Sequence, residues 1–259
     1  MRSRSPLSLF LLLLAVPIAR AQEAEAGWSR SDLSWQGSLD QGRRIEISNP
    51  YGDLRARFSA DDTIALSAVV QRRDGDPHEA EIVTEASPDG YVIAVAYPTL
   101  DGRPATGGRP ERRVDLVVFV PGESEIVLST EFGLIEAKKL RSEVVARSQS
   151  GEVRLSTRGD IHARSERGDV TVSFPPLDGE GESRIETRTG DIRIVLSPTS
   201  NVTVRGSTNG RVTTDYSVDI EQQNGTRWKE THTVLGSGSY RLRLESDRGD
   251  LELLREPST

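Results

Sequence analysis

A short phrase recurs along the chain: Ser or Thr, two variable residues, Gly, usually an acid, then alternating apolar residues. It reads Thr130-Glu-Phe-Gly133-Leu-Ile-Glu-Ala, Ser148-Gln-Ser-Gly151-Glu-Val-Arg-Leu and Ser165-Glu-Arg-Gly168-Asp-Val-Thr-Val. It returns as Thr187-Arg-Thr-Gly190-Asp-Ile-Arg-Ile, Ser207-Thr-Asn-Gly210-Arg-Val-Thr-Thr and Ser246-Asp-Arg-Gly249-Asp-Leu-Glu-Leu. The central glycines, from Gly133 to Gly210, lie 18, 17, 22 and 20 residues apart. Self-similarity at such a period is the signature of a repeat architecture.

Each interval holds one strand pattern after the Gly and a second before the next Ser or Thr, as in Val144-Val-Ala-Arg and Asn201-Val-Thr-Val. Gly159-Asp-Ile adds a second corner to one interval. Two short strands and two corners per repeat build one coil of a β-solenoid, with like strands stacking about 4.8 Å apart. The chemistry of the phrase fits a corner. A Ser or Thr hydroxyl can bond backbone two residues on, and Gly is favoured at the fourth turn position and tolerates positive φ. Gly52, Gly133, Gly151, Gly159, Gly168, Gly190, Gly210 and Gly249 are the predicted corners. Two and four residues after most of these glycines the side chains are aliphatic (Val153 and Leu155, Val170 and Val172, Ile192 and Ile194), whereas Val212 is followed by the weaker Thr214. The intervening positions are polar, so one face packs and the other is wet.

Alternation begins at Arg44-Ile-Glu-Ile, and no amphipathic helix pattern interrupts it up to the end of the sequence. The prediction is an all-β chain: a single-stack, β-helix-like solenoid of about 17–22-residue coils, with entry strands over 43–121 that are irregular and antiparallel. Stacked coils follow over 124–216, then a C-terminal hairpin and final strand over 217–254 that cap the stack, and a tail over 255–259. Asn224-Gly225 is the expected hairpin turn, with Trp228 covering the solenoid end. Pro98 to Pro110 and Pro175 to Glu182 read as loops.

Arg2, Arg4, an apolar run over Leu7 to Ile18 and Ala19-Arg20-Ala21 compose a signal peptide over 1–21, with Gln22 as the first mature residue. That apolar run is too short to span a bilayer, and none later is longer, so a mature chain without a transmembrane segment is expected. Residues 22–42 are polar and read as a flexible tether containing Trp28 and Trp35. The chain has no cysteine, which excludes disulfides, thiol catalysis and cysteine zinc sites. Its formal charge of −7 argues against nucleic acid as a partner.

With these residues in hand, the chain resembles the bacterial putative-adhesin family of exported β-solenoid repeat proteins, which is similar to the head domains of putative autotransporter adhesins. The resemblance runs from Arg43 to Leu254. It rests on the entry Ile45-Glu-Ile-Ser-Asn-Pro-Tyr-Gly52, the junction Val114-Asp-Leu-Val-Val-Phe-Val-Pro121-Gly122, the Gly-acid repeats and the closing run from Gly236 to Asp250. It implies a solenoid at the cell envelope, and it carries no catalytic residues or cofactor to this chain.

Glu152, Asp169 and Asp191 would stack as a column of carboxylates. A cation site is one reading, since hard ions take several oxygens. Solvated corner acids neutralised by Arg158, Arg167 and Arg188 are the simpler one, and the glycine-rich nonapeptide of calcium-binding β-rolls is missing. His78, His162 and His232 stand apart from any nucleophile elbow or His-Glu-x-x-His pair. Glycosidase chemistry needs two placed carboxyls, and a sugar platform needs aromatics, which make up only 5% of the chain. The expected role is a non-catalytic interaction or scaffold module, exported to the periplasm or cell surface, whose partner is an envelope protein or glycan. A carbohydrate-active lyase or hydrolase on the same scaffold is the alternative, and an envelope-stress sensor acting with a membrane partner is a third. The candidate interaction surface is the outward row Glu136, Arg154, Thr171, Arg193 and Thr213, with no metal or cofactor assigned.

Overall fold

A computed structural model describes residues 27–38, 43–74, 80–87, 89–97 and 112–257. The signal segment, the 98–110 loop and His78 lie outside the described residues. The described residues contain strands and no helix. In chain order the first seven are β1 (Trp28–Ser38), β2 (Arg44–Tyr51), β3 (Leu54–Phe58), β4 (Thr63–Arg73), β5 (Glu81–Ser87), β6 (Gly90–Ala96) and β7 (Arg112–Val120). The next eight are β8 (Ile126–Phe132), β9 (Ile135–Leu140), β10 (Val144–Ser150), β11 (Val153–Thr157), β12 (Ile161–Ser165), β13 (Val170–Ser173), β14 (Gly181–Thr187) and β15 (Ile192–Leu196). The last six are β16 (Val202–Thr208), β17 (Val212–Thr214), β18 (Asp219–Gln222), β19 (Lys229–Leu235), β20 (Tyr240–Ser246) and β21 (Leu251–Arg255).

They form two sheets. The first runs β1-β4-β7-β3-β9-β11-β13-β15-β21-β17, the second β18-β19-β16-β20-β14-β12-β10-β8-β2-β6-β5. The coils β2–β3, β8–β9, β10–β11, β12–β13, β14–β15, β16–β17 and β20–β21 each pass from the second sheet to the first through a glycine corner. Inward aliphatics from both sheets make one core, in which Ile135, Val153, Val170 and Ile192 of the first sheet are fully buried, as are Ile126, Val144, Ile161 and Ile185 of the second. Burying each such side chain contributes about 1.5–3 kcal/mol.

The coils do not stack in chain order. β20 lies between β14 and β16, and β21 between β15 and β17, with parallel pairing on both sides. The coil β2–β3 is likewise enclosed, between β6–β7 and β8–β9. Two expectations are corrected here. Within 43–121, β2, β3, β6 and β7 pair in parallel as part of the stack, and the antiparallel pairs are confined to β4 with β7 and β5 with β6 at its edges. Within 217–254, β20 and β21 are an interior coil rather than a cap, because their aliphatics (Leu242, Leu244, Leu251, Leu253) fit a rung packed on both sides. The weaker rung, Val212 and Thr214, takes the end position and is only half-buried.

The tether reading fails over Trp28–Ser38, which is an edge strand paired along its whole length with β4. Its serines hide a weak alternation in which Leu33 and Trp35 pack on the core, and the Trp35 ring meets Tyr91 edge-on at 5.7 Å. The Asn224-Gly225 turn is also longer than expected: β18 and β19 are joined by residues 223–228, with Gly225 at φ +78° and Gln223 N–H donating to Trp228 O at 3.0 Å.

Candidate interaction surface

The corner that positions everything else is a column of glycines touching across coils. Gly52, Gly133, Gly151, Gly168 and Gly190 have φ between +127° and +150°. A Cβ on Gly133 would sit 2.5 Å from the carbonyl carbon of Gly52, one on Gly151 2.7 Å from that of Gly133, and one on Gly168 2.7 Å from that of Gly151. Gly210 and Gly249 lack this φ but are crowded in the same way, Gly210 against Gly249 at 2.6 Å. Gly159, at the opposite corner, would press a Cβ to 2.6 Å from Glu143 N.

The expected turn bond forms at Thr208, whose Oγ1 accepts the N–H of Gly210 two residues on at 2.8 Å, and three hydroxyls of the phrase bond across coils. Thr187 Oγ1 donates to Gly168 O at 3.2 Å, Ser246 Oγ to Gly190 O at 2.9 Å and Thr208 Oγ1 to Gly249 O at 2.5 Å. They tie these three corners to the neighbouring coil, whereas Ser148 Oγ donates within its own corner to Gly151 O at 3.5 Å, and Thr130 Oγ1 and Ser165 Oγ are buried without a hydrogen-bond partner among the described residues. In the last phrase of the stack Thr208, not Ser207, pairs with Ser246, so that corner is one residue shorter.

The acids after the glycines also bond between coils. Asp169 Oδ1 accepts the N–H of Asp191 at 2.8 Å, Asp191 Oδ1 that of Asp250 at 2.7 Å, and Asp250 Oδ1 that of Arg211 at 2.8 Å. At the other end Asp115 Oδ1 accepts from Asp53 N at 2.8 Å and Asp53 Oδ1 from Leu134 N at 3.2 Å. The Arg211 N–H bond is the main cause holding the Asp250 carboxyl below its ordinary pKa. Glu152 instead forms a two-point ion pair with Arg154, at 2.5 and 2.6 Å. The column is thus a ladder of backbone acceptors, and among the described residues no three acids or imidazoles converge as metal ligands would.

On the outer face of the first sheet, register aligns Arg55, Glu136, Arg154, Thr171, Arg193, Glu252 and Thr213. The predicted row is brought together, with two departures. Glu252 separates Arg193 from Thr213, since β21 fills that slot, and Arg193 Nε donates to Glu252 Oε2 at 2.5 Å. Glu136 is not presented to solvent: it is 6% exposed, beneath Arg57 and with Lys138 Nζ 2.6 Å away. Burial pushes its carboxyl up, but hydrogen bonds from Lys138 and Arg57 outweigh that and hold it below its ordinary pKa.

The outer face of the second sheet carries a row that the repeat phrase did not reveal. Register places His162, Arg184, Arg243, Arg205 and His232 side by side. His162 lies 3.7 Å from Glu143. The neighbouring row is Arg164, Glu186, Glu245, Ser207 and Glu230. Sequence order separates Arg184, Arg205 and Arg243, so only knowledge of the inserted coil could have aligned them.

A family model of the Toastrack DUF4097 domain matches residues 122–254, just over half of the chain. The chain belongs to the Toastrack DUF4097 family. No curated protein matches it. Among solved structures it is similar to a putative cell adhesion protein from Clostridium sporogenes, at 13% identity and TM-score 0.47, over 88% of this chain and all of the other. It is also similar to a putative adhesin from Bacteroides fragilis, at 10% identity and TM-score 0.35 (88% and 98% covered), and to a putative lipid binding protein from Parabacteroides distasonis, at 10% identity and TM-score 0.24 (87% and 97% covered). The Toastrack match begins at Gly122 and takes in every coil from β8–β9 onward, including the inserted one.

Proposed function

We propose that this Toastrack protein is a non-catalytic interaction module of the bacterial cell envelope, exported by its 1–21 leader and engaging a protein or glycan through its outer strand faces. The observation that carries this reading is the first-sheet row. Alternation aims Arg154, Thr171 and Arg193 outward in register, and the Arg154–Glu152 and Arg193–Glu252 pairs there are partly exposed. Exposed pairs are worth about 0–1 kcal/mol each, so a partner's charges can replace them at little cost. Such a surface suits a polar, salt-sensitive contact rather than a pocket. No helix of the described residues is long and apolar enough to cross a bilayer.

Reversing Arg154 and Arg193 together to Glu tests the contact. Both side chains are about half exposed, so the fold should survive. Capture of envelope components by the tagged protein should weaken, with circular dichroism as the folding control. Undiminished capture rejects this row, and turnover of a polysaccharide by the purified protein rejects the non-catalytic reading. Intact mass of exported material should show Gln22 as the first residue.

A further inference from the structure

We propose a second, independent site on the opposite sheet: a binding track for a carboxylate-bearing polysaccharide laid along the stack across Arg184, Arg243 and Arg205. These residues sit directly opposite one another on β14, β20 and β16, with His232 of β19 next in line. Like charges placed directly across strands destabilise a sheet. This acidic protein nevertheless lines up three guanidiniums at about the 4.8 Å strand spacing. Arg184 and Arg243 are offset by carboxylates, Arg184 by Glu186 and Arg243 by Glu182 at 3.2 Å. Arg205 is exposed and has no ion-pair partner among the described residues.

The surroundings narrow the ligand. The arginines line an open concavity of about 1000 Å³ together with Trp228 and with the acids Asp219, Glu221, Glu230 and Glu245, so anionic groups of a ligand have to be directed at the arginines. A guanidinium binds a carboxylate through two parallel hydrogen bonds, and a half-buried indole offers an apolar face to a sugar ring. The adjacent row presents Glu186, Glu245 and Glu230, which only accept hydrogen bonds once ionised. A polymer with anions on every side would be repelled there. A uronate chain is not: it turns its carboxylates to the arginines and its hydroxyls to the glutamates. The track therefore selects an acidic glycan over a nucleic acid, and its repeat runs parallel to the stack axis.

The test uses the full chain without its leader, with polygalacturonate as the probe and dextran and single-stranded DNA as comparisons, by isothermal titration calorimetry at low salt. Polygalacturonate should bind and weaken as salt is added, and dextran should not bind. Arg205→Glu should weaken binding at least tenfold with an unchanged melting temperature, and Arg205→Ser should weaken it less. The Arg154 and Arg193 reversal on the other sheet should leave polygalacturonate binding intact, which separates this site from the first-sheet contact. Absence of polygalacturonate binding overturns the proposal, as does equal binding by Arg205→Glu and Arg205→Ser. DNA bound as tightly as polygalacturonate would make the row a general polyanion surface and overturn the glycan assignment.

Discussion

Replacing Gly168 with Ala adds a single carbon, yet the corner column makes that carbon costly. The new Cβ would lie 2.7 Å from the Gly151 carbonyl carbon, 3.2 Å from its nitrogen and nearer still to its oxygen. Relief requires coils β10–β11 and β12–β13 to part locally. Two backbone bonds span that junction, Gly151 N–H to Arg167 O at 2.9 Å and Val153 N–H to Asp169 O at 2.9 Å. Weakening both forfeits about 0.5–1.5 kcal/mol each. Holding a residue with a Cβ at φ +147° adds roughly 1–2 kcal/mol. The expected loss is therefore about 2–5 kcal/mol, which at ~2–4 °C per kcal/mol for a chain of this size is a fall of roughly 4–20 °C in melting temperature. Gly179→Ala is the matched control, because a Cβ there meets nothing within 4 Å. Thermal melts and urea titrations of parent and both variants decide the matter. A Gly168→Ala protein as stable as the parent, or a Gly179→Ala protein equally damaged, would refute the touching-corner account.

Glu136 should make stability pH-dependent. A carboxyl held below its ordinary value of 4.5 contributes stability above that pH and loses it as pH falls through the depressed value. The parent should thus lose melting temperature more steeply than Glu136→Gln below about pH 4.5, and parallel profiles would contradict the buried ion pair. Asp191→Ala removes the acceptor of Asp250 N–H and should cost about 0.5–1.5 kcal/mol, whereas Asp191→Asn keeps an acceptor oxygen and should cost less; equal losses in urea titration would dismiss the backbone ladder. Calcium should leave the parent's melting temperature unchanged, since Asp169 and Asp191 already accept backbone amides and Glu152 is paired with Arg154. A calcium-dependent rise abolished by Asp169→Asn would instead assign the column to a cation.

The strands and corners were legible because they rest on local chemistry: alternation fixes which side chains face the core, and the repeated glycine marks the bend. Coil order was not legible, since Ile192-Arg-Ile can pair equally well with Val212-Thr-Thr or Leu251-Glu-Leu. Parallel rungs carry the same pattern, so hydrophobic alternation cannot tell one neighbour from another. The poor Val212 and Thr214 rung was the available signal, as it suits a strand covered on one side only. β1 was missed for a related reason, because an edge strand buries little and its serines look like linker. Of the candidate surfaces, the first-sheet row was readable within coils. The arginine row was not, because its members meet only through the insertion.

That insertion also alters how the protein bears load. In a solenoid threaded in order, tension on a terminal coil peels one strand from one neighbour, bond by bond. Here β20 and β21 are each held between two parallel partners, so a force applied beyond Arg255 must slide them past both neighbours at once, breaking many hydrogen bonds together. The coil β2–β3 is gripped in the same manner near the other end. For an interaction module of the kind proposed, rupture in shear rather than by unzipping would keep the stack closed until the force exceeds that of two strand pairs acting in concert.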